Sequence, residues 1–225
     1  MTTPCRGSSG IDMKKISLLL LALVLLLSSC SGVRTFERDA KGYGYTDKKS
    51  GVYYVELDAA FEPAKTGEAF GEYKNGETGK TRTFSEIPEL DPAVFLTDEY
   101  LNVYYAGEGA LDASGWKLSA ILVCDEDVIS VELFRFTAEK DAATLSAIRS
   151  LWFEGTGDAV LPFGDAVYKR RLKMSSTAYP NLFYCFSFLE YDNGEAYFYD
   201  AATRRTVAVP SELSALLHPA QVQEG

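Results

Sequence analysis

A row of basic side chains in the stretch AVYKRRLKM has a spacing that could serve binding. The stretch reads as a strand, in which alternate side chains point to the same face. Lys169, Arg171 and Lys173 therefore share one face, and Arg170 lies on the other. Such a row could bind anionic polymers or carboxylates. The alternative is a solvated or edge strand that its charges protect from aggregation.

A pair of tyrosines forms a second candidate surface. Tyr197 and Tyr199 share a face of a predicted strand with Glu195. Exposed aromatic rings beside a carboxylate can stack on sugar rings, so the pair could form an aromatic platform for a ligand. Packing in the core or under the cover of the sheet is the alternative.

The familiar catalytic motifs are broken in this chain. The segment GETGKT from Gly76 resembles the end of a phosphate-binding loop, but Lys74 stands where the motif requires its first glycine. Ser114 and Lys117 have the Ser-x-x-Lys spacing of penicillin-binding enzymes, yet Ser114 falls in a predicted turn and not at the start of a core helix. The sequence therefore predicts no catalytic residue.

Histidine and cysteine are too scarce for the usual metal sites. His218 is the single histidine, whereas zinc sites draw on several His or Cys residues. The acidic turn 125–127 lacks the alternate spacing and the glycine of a calcium loop. We therefore expect neither a metal nor a cofactor. A pair of carboxylates for glycoside hydrolysis stays open, because the separation of acids in space cannot be read from the sequence.

An apolar run near the amino terminus indicates the compartment. The run 16–27 has about 12 residues, too few for the about 20 that a membrane-spanning helix needs. Lys14 and Lys15 precede it and small residues follow, which is the order of a secretory leader. The sequence Leu27-Ser28-Ser29-Cys30 at its end resembles the lipobox of bacterial lipoproteins.

This resemblance implies a lipid anchor. Cys30 would carry a diacylglyceryl group after cleavage of a signal peptide at 13–29, and the new amino terminus would often be acylated too. Residues 1–12 read as a spurious extension before the true start at Met13, and residues 30–42 read as the lipidated cysteine and a flexible tether. The expected location is the extracytoplasmic side of a bacterial cell membrane, with contact through acyl chains.

The charge of the chain limits its partners. The net charge is −10, and the leader holds three of the cations, Arg6, Lys14 and Lys15, but one acid, Asp12. Anionic headgroups and nucleic acid repel so acidic a protein, so we expect no nucleic-acid binding. An oxidising compartment permits a disulfide between Cys124 and Cys185, although each lies in an apolar strand run where a free cysteine packs well.

The elements that must position these residues are mostly strands and turns. Hairpins are predicted in 43–57, 67–87, 120–136 and 181–200, the last with Asp192-Asn193-Gly194 as its turn. Apolar residues on both faces of 182–190 indicate a central strand covered on both sides. Helical spacing of Leu145, Ile148 and Trp152 predicts a covering helix over 138–153 that Thr137 caps.

These patterns predict an α+β fold in a single domain over 43–218, with a mainly antiparallel sheet. Short helical turns are expected at 91–96 and 211–217, and 219–225 is a tail. Two function classes follow. The first is a non-catalytic, lipid-anchored envelope protein that binds an unknown ligand or partner. The alternative is a membrane-anchored hydrolase of envelope polymers that uses carboxylates.

Overall fold

The chain folds mainly into β-structure, with one main helix, in a computed structural model that describes residues 33–126 and 131–218. The strands form two sheets, of which one closes into a barrel. The leader, Cys30, Asp127 and the tail 219–225 lie outside the described residues. No helix among the described residues is long and apolar enough to cross a bilayer.

The barrel has seven strands, numbered here in chain order with those of the second sheet. Around the barrel the order is β1-β2-β3-β8-β7-β6-β5, and a parallel pairing of β1 with β5 closes it. All its other pairs are antiparallel, and they confirm the hairpins predicted over 43–57 and 67–87. Its strands are β1 (Arg34–Arg38), β2 (Gly44–Asp47), β3 (Tyr53–Glu56), β5 (Ala69–Lys74), β6 (Thr81–Glu86), β7 (Phe95–Asp98) and β8 (Val103–Tyr105).

Aromatic side chains fill the barrel. A buried cluster of five aromatic rings and one leucine occupies it: Phe36, Tyr45, Tyr54, Phe84, Leu96 and Tyr104. The Phe84 ring centroid lies 4.5 Å from that of Phe36 and 4.9 Å from that of Tyr45. Gly71 faces Phe36, and a Cβ at this position would meet the phenyl ring at 2.6 Å. The interior of the barrel is therefore filled by packed side chains.

The prediction of a flexible tether over 30–42 is wrong for residues 34–38. These residues form β1, which pairs with both β2 and β5, and Phe36 belongs to the barrel core. The polar residues around Phe36 hide the strand in the sequence, because alternate side chains of β1 face solvent.

The second sheet is antiparallel throughout, with the order β10-β9-β11-β12-β13-β14, and β4 also pairs with β12. Its pairings confirm the hairpins predicted over 120–136 and 181–200 and the central place of 182–190. The edge-strand alternative for AVYKRRLKM is wrong, because β11 lies between β9 and β12. The strands are β4 (Phe61–Pro63), β9 (Leu118–Asp125), β10 (Glu132–Thr137), β11 (Tyr168–Ser176), β12 (Tyr179–Glu190), β13 (Ala196–Tyr199) and β14 (Thr206–Val209).

Helix α1 (Ala142–Glu154) covers one face of the second sheet, as the spacing of its apolar residues predicts. It begins later than predicted, after Asp141, and the Asp141 carboxylate accepts a hydrogen bond from the Thr137 backbone N–H. Thr137 is therefore the last residue of β10 and does not cap the helix. The indole of Trp152 stacks on Phe186 with ring centroids 4.5 Å apart.

The other predicted helical turns are short. Helix α2 (Ser211–Leu216) is present where the sequence places it. The turn after Asp91 closes with a hydrogen bond from the Phe95 N–H to the Asp91 carbonyl, and β7 begins at Phe95.

Strand β4 joins the barrel to the second sheet. It pairs with residues 182–184 of β12, on the edge that β13 occupies further along. Phe61 of β4 packs in a buried cluster with residues of both sheets, among them Val103 of β8 and Leu182 of β12. This contact creates a junction between the two sheets, where the candidate site lies.

Candidate functional site

The residues predicted from the sequence meet on one face of the second sheet. Lys173 pairs with Cys185 across β11 and β12, and Arg171 pairs with Ser187, which in turn pairs with Tyr199 of β13. Paired residues of an antiparallel sheet point to the same side. This surface, called the polar face here, is opposite to the one that α1 covers: Leu122, Cys124, Lys169, Arg171, Lys173, Phe183, Cys185, Ser187, Leu189, Tyr197 and Tyr199.

The basic row shares a face, as predicted, but two of its cations are already paired. Glu62 of β4 accepts a hydrogen bond from Arg171 Nε at 3.1 Å, and its Oε2 lies 2.8 Å from Lys173 Nζ. The Lys173 side chain is 11% exposed and those of Arg171 and Glu62 are 19% exposed. Lys169 is exposed at the end of the row.

Glu62 is held in its ionised form. Burial by itself would raise its pKa, but the hydrogen bond from Lys173 and the positive charges of Arg171 and Lys173 outweigh burial and lower the pKa below its usual value. The three groups form a preorganised ion-pair cluster at the junction of the sheets.

The tyrosine pair is not an open platform. Tyr197 is buried, its ring contacts Tyr191 edge to face with centroids 5.9 Å apart, and its hydroxyl donates to Glu195 Oε2 at 3.1 Å. Tyr199 is half-buried, next to Lys169 and Glu126 in a shallow depression of about 250 Å³. The packing alternative therefore describes Tyr197.

Cys124 and Cys185 are both buried and free. They lie on β9 and β12, with β11 between them, so two strand spacings put their Cα atoms at least about 10 Å apart. A disulfide needs Cα atoms closer than about 7 Å, so the fold excludes the bridge. Burial raises the pKa of both thiols, which keeps them protonated and poorly nucleophilic at neutral pH.

A cavity of about 460 Å³ opens between the barrel and the polar face. Its volume lies in the range of small-molecule sites, about 300 to 1,000 Å³. Lys173 and Glu62 contribute charged groups to it, and Phe61 and Phe183 contribute aromatic walls. We call this cavity the cleft, and it is defined by residues 56–59, 61–64, 100–103, Leu122, Cys124, Glu132, Lys173 and Phe183.

A network inside the barrel supports one wall of the cleft. The buried hydroxyl of Tyr104 donates to Asp98 Oδ2 at 2.9 Å and accepts from Arg82 Nη1 at 2.6 Å. Burial raises the pKa of Tyr104, and the nearby Asp98 carboxylate raises it further, so the hydroxyl keeps its proton. The same oxygen lies 3.3 Å from Glu56 Oε2, at the cleft.

The contacts of His218 are those of a packed side chain. Its Nε2 lies 2.9 Å from Glu190 Oε2, its ring stacks on Tyr168 with centroids 4.2 Å apart, and Ser214 donates to the same Glu190 oxygen. The Ser214 hydroxyl therefore bonds to the carboxylate of Glu190 and not to the imidazole of His218. In a serine nucleophile the hydroxyl bonds to the imidazole, so this arrangement is not a catalytic triad. Within 33–126 and 131–218, no group of three or more His, Cys, Asp or Glu side chains is placed to hold a metal ion.

Sequence reasoning missed the acids of the cleft, above all Glu62. Strand β4 has three residues and ends in proline, so its period-2 pattern is too short to read. The partners of Glu62 are more than a hundred positions away in the chain. The one local signal is the alternation of Phe61, Glu62 and Pro63, with two buried side chains around a half-buried acid.

Comparison of the chain with protein-family models, with curated proteins and with solved structures found no match.

Proposed function

We propose that the chain is a lipid-anchored lipoprotein of a bacterial cell envelope that binds a ligand or partner without catalysis, and that the cleft is its binding site. The lipobox resemblance at Leu27-Ser28-Ser29-Cys30 supports the anchor and the extracytoplasmic location. The acidic charge of the chain supports attachment through acyl chains and argues against nucleic acid as a partner.

The observation that carries the binding proposal is the form of the cleft. Small-molecule sites combine apolar walls with a few fixed polar groups in a preformed cavity. Here Phe61, Leu122 and Phe183 supply apolar wall, and Glu62 and Lys173 hold each other in a fixed ion pair. A fixed charge in such a cavity orients a ligand without further ordering of the protein.

The ion-paired acid of the cleft, Glu62, favours binding over hydrolysis. A glycosidase needs one carboxyl group that holds its proton at neutral pH, which requires a raised pKa. Glu62 has a lowered pKa and two cationic partners, so it is a poor proton donor. The thiol of Cys124, which also lines the cleft, has a raised pKa, which makes it a poor nucleophile.

The proposal also includes one α+β domain, which the sequence placed at 43–218 and which begins earlier, because β1 belongs to the barrel. The cluster around Phe61 supports it, because Ile87 and Val103 of the barrel region and Leu182 of the second sheet share one buried core. Anion binding by the basic row has weaker support, because Arg171 and Lys173 are neutralised in part by Glu62.

The anchor is tested by Cys30→Ser in the bacterial host. One thiol would carry the whole attachment, so metabolic labelling with a fatty acid should be lost and the protein should leave the membrane fraction. Labelling that persists in Cys30→Ser would contradict the anchor.

The cleft is tested by a thermal-shift screen of a fragment library against the unmutated protein and Leu122→Trp. The indole would occupy the cleft from the polar face, so stabilising fragments should lose their effect in the variant while its own melting temperature stays close to that of the parent. Ala208→Trp, on β14 of the same sheet, is the control for an added exposed indole. Fragments that stabilise all three proteins equally would place binding outside the cleft.

A further inference from the structure

We propose, on the basis of the binding function above, that the cleft selects an organic cation: an amine that carries an apolar chain. The inference rests on which charges at the cleft already have partners, on the apolar walls between them, and on the charge of the whole chain.

The cationic group of the cleft, Lys173, is already paired with Glu62. Lys173 Nζ lies 2.8 Å from Glu62 Oε2, and Arg171 bonds to the other carboxylate oxygen of Glu62. An anionic ligand would have to compete with Glu62 for Lys173 and would leave the half-buried Glu62 carboxylate with a weaker set of partners. The thiol of Cys124, which lines the same wall, is kept neutral by its raised pKa.

Two of the acids at the cleft have no cationic partner among the described residues. Glu132 is paired with Arg135, and Glu62 is paired as above. Glu56 contacts the Tyr104 hydroxyl at 3.3 Å. That hydroxyl donates to Asp98 at the shorter distance of 2.9 Å and accepts from Arg82, so Arg82 is linked to Glu56 only through Tyr104. Asp58 accepts a hydrogen bond from the Ala60 backbone N–H.

The charges on this side of the cleft therefore favour a positive ligand group. Glu56 is the last residue of β3 and Asp58 is two positions further on; both side chains are exposed and line the cleft. An ammonium group beside two carboxylates gains Coulomb energy that a carboxylate would lose. The net charge of −10 adds a field of the same sense, which attracts cations.

The remaining walls fit an apolar chain. Leu57 and Val103 line the cleft from the barrel side, and Leu122 and Phe183 line it from the second sheet. At the turn between β7 and β8, Tyr100 and Leu101 are exposed and line the same space. A ligand with both parts would place its ammonium group at Glu56 and Asp58 and its chain between these side chains.

The test compares three six-carbon probes that differ in their end group: hexylamine, hexanoate and hexanol. Titration calorimetry of the full-length protein in a neutral detergent, with empty micelles as the blank, should show hexylamine binding at least tenfold more tightly than either other probe. Added salt should weaken hexylamine binding, because an exposed charge contributes to it.

The matched variants are Glu56→Gln with Asp58→Asn, and Glu72→Gln with Glu77→Gln. The first pair removes both free carboxylates and keeps a side-chain oxygen at position 58 to accept from the Ala60 N–H, so the fold should be retained. The second pair removes the same charge from the exposed surface around β5. Hexylamine affinity should fall at least tenfold in the first double variant and change less than twofold in the second.

The outcomes separate the two proposals. If hexanoate or hexanol binds as tightly as hexylamine, or if the Glu56/Asp58 variant keeps full affinity, the cation preference is overturned. If the fragments that lose their effect in Leu122→Trp include no amine, the cation preference is also overturned, but the cleft is retained as a binding site. If no fragment of any charge depends on position 122, the binding function itself fails.

Discussion

At the scale of single residues, Lys173 and Lys169 test whether the ion-pair cluster stabilises the fold. Lys173 donates to the half-buried Glu62, whereas Lys169 is exposed. Lys173→Met keeps the apolar stem but removes a charge-assisted hydrogen bond, so unfolding in denaturant should cost about 1.5 to 3 kcal/mol less. Lys169→Met should change stability by less than about 0.5 kcal/mol. Equal effects would show that Glu62 does not bind Lys173 in solution.

Glu62 also predicts a pH dependence with a definite sign. Its pKa is lowered in the folded protein, so its contribution to stability is complete above the pKa of an unfolded glutamate, about 4.3, and is lost as the pH falls through the folded value. The stability difference between the parent and Glu62→Gln should therefore be largest at neutral pH and shrink below about pH 4. Glu72→Gln serves as the control for loss of an exposed carboxyl. A difference that grows on acidification would contradict the ion pairs.

The sequence predicts part of the site at this scale. The period of two placed Lys169, Arg171 and Lys173 on one face, because that alternation is a local property of a strand. It could not show that Glu62 pairs with two of them, since that contact depends on the pairing of β4 with β12, more than a hundred positions away in the chain.

At the scale of elements, helix α1 is the main cover of the second sheet, and Trp152 is its largest contact. The side chain is buried, stacks on Phe186, and donates from Nε1 to the Tyr184 hydroxyl at 3.2 Å. Trp152→Ala should destabilise the fold by about 3 to 5 kcal/mol. Trp152→Phe keeps an aromatic ring on Phe186 and should cost clearly less. A loss below about 1 kcal/mol for Trp152→Ala would mean that the helix does not pack there.

Elements with a strong local signal were predictable, and those defined by distant pairing were not. The turn at Asp192-Asn193-Gly194 and the apolar period of α1 are local, and both elements are present. Closure of the barrel depends on the parallel contact of β1 with β5, and no short-range pattern encodes it. The polar residues of β1 predict a tether, because the pairing that makes them a strand is not visible in a short stretch of sequence.

At the scale of the whole molecule, the early start of β1 would bring the barrel close to the membrane if Cys30 carries the proposed lipid anchor. Three residues lie between Cys30 and Arg34, so the two Cα atoms can be at most about 14 Å apart in any conformation. Strand β1 begins next to the turn after β2 and ends next to the turn after β5. A lipidated Cys30 would therefore fix which end of the barrel faces the lipid.

Energy transfer from a labelled protein to a headgroup dye tests this orientation. Lys49→Cys places a label in the turn after β2, and Glu77→Cys places one in the turn after β5, and both positions are exposed. The lipidated protein in vesicles should give stronger transfer from position 49 than from position 77. Equal transfer, or the reverse order, would contradict a barrel held close to the bilayer by β1.

The central claim is that the cleft binds the ligand, and methyl-resolved NMR of the full-length protein in neutral detergent tests it most directly. Fragment pools of amines, carboxylates and neutral compounds are titrated separately. We predict that at least one pool, and the amine pool most strongly, shifts the methyl signals of Leu57, Val103 and Leu122 at the cleft. The methyl signals of Leu145 and Ile148, in the core under α1, should stay in place. Shifts confined to other surfaces, or none from any pool, would contradict the cleft as the binding site.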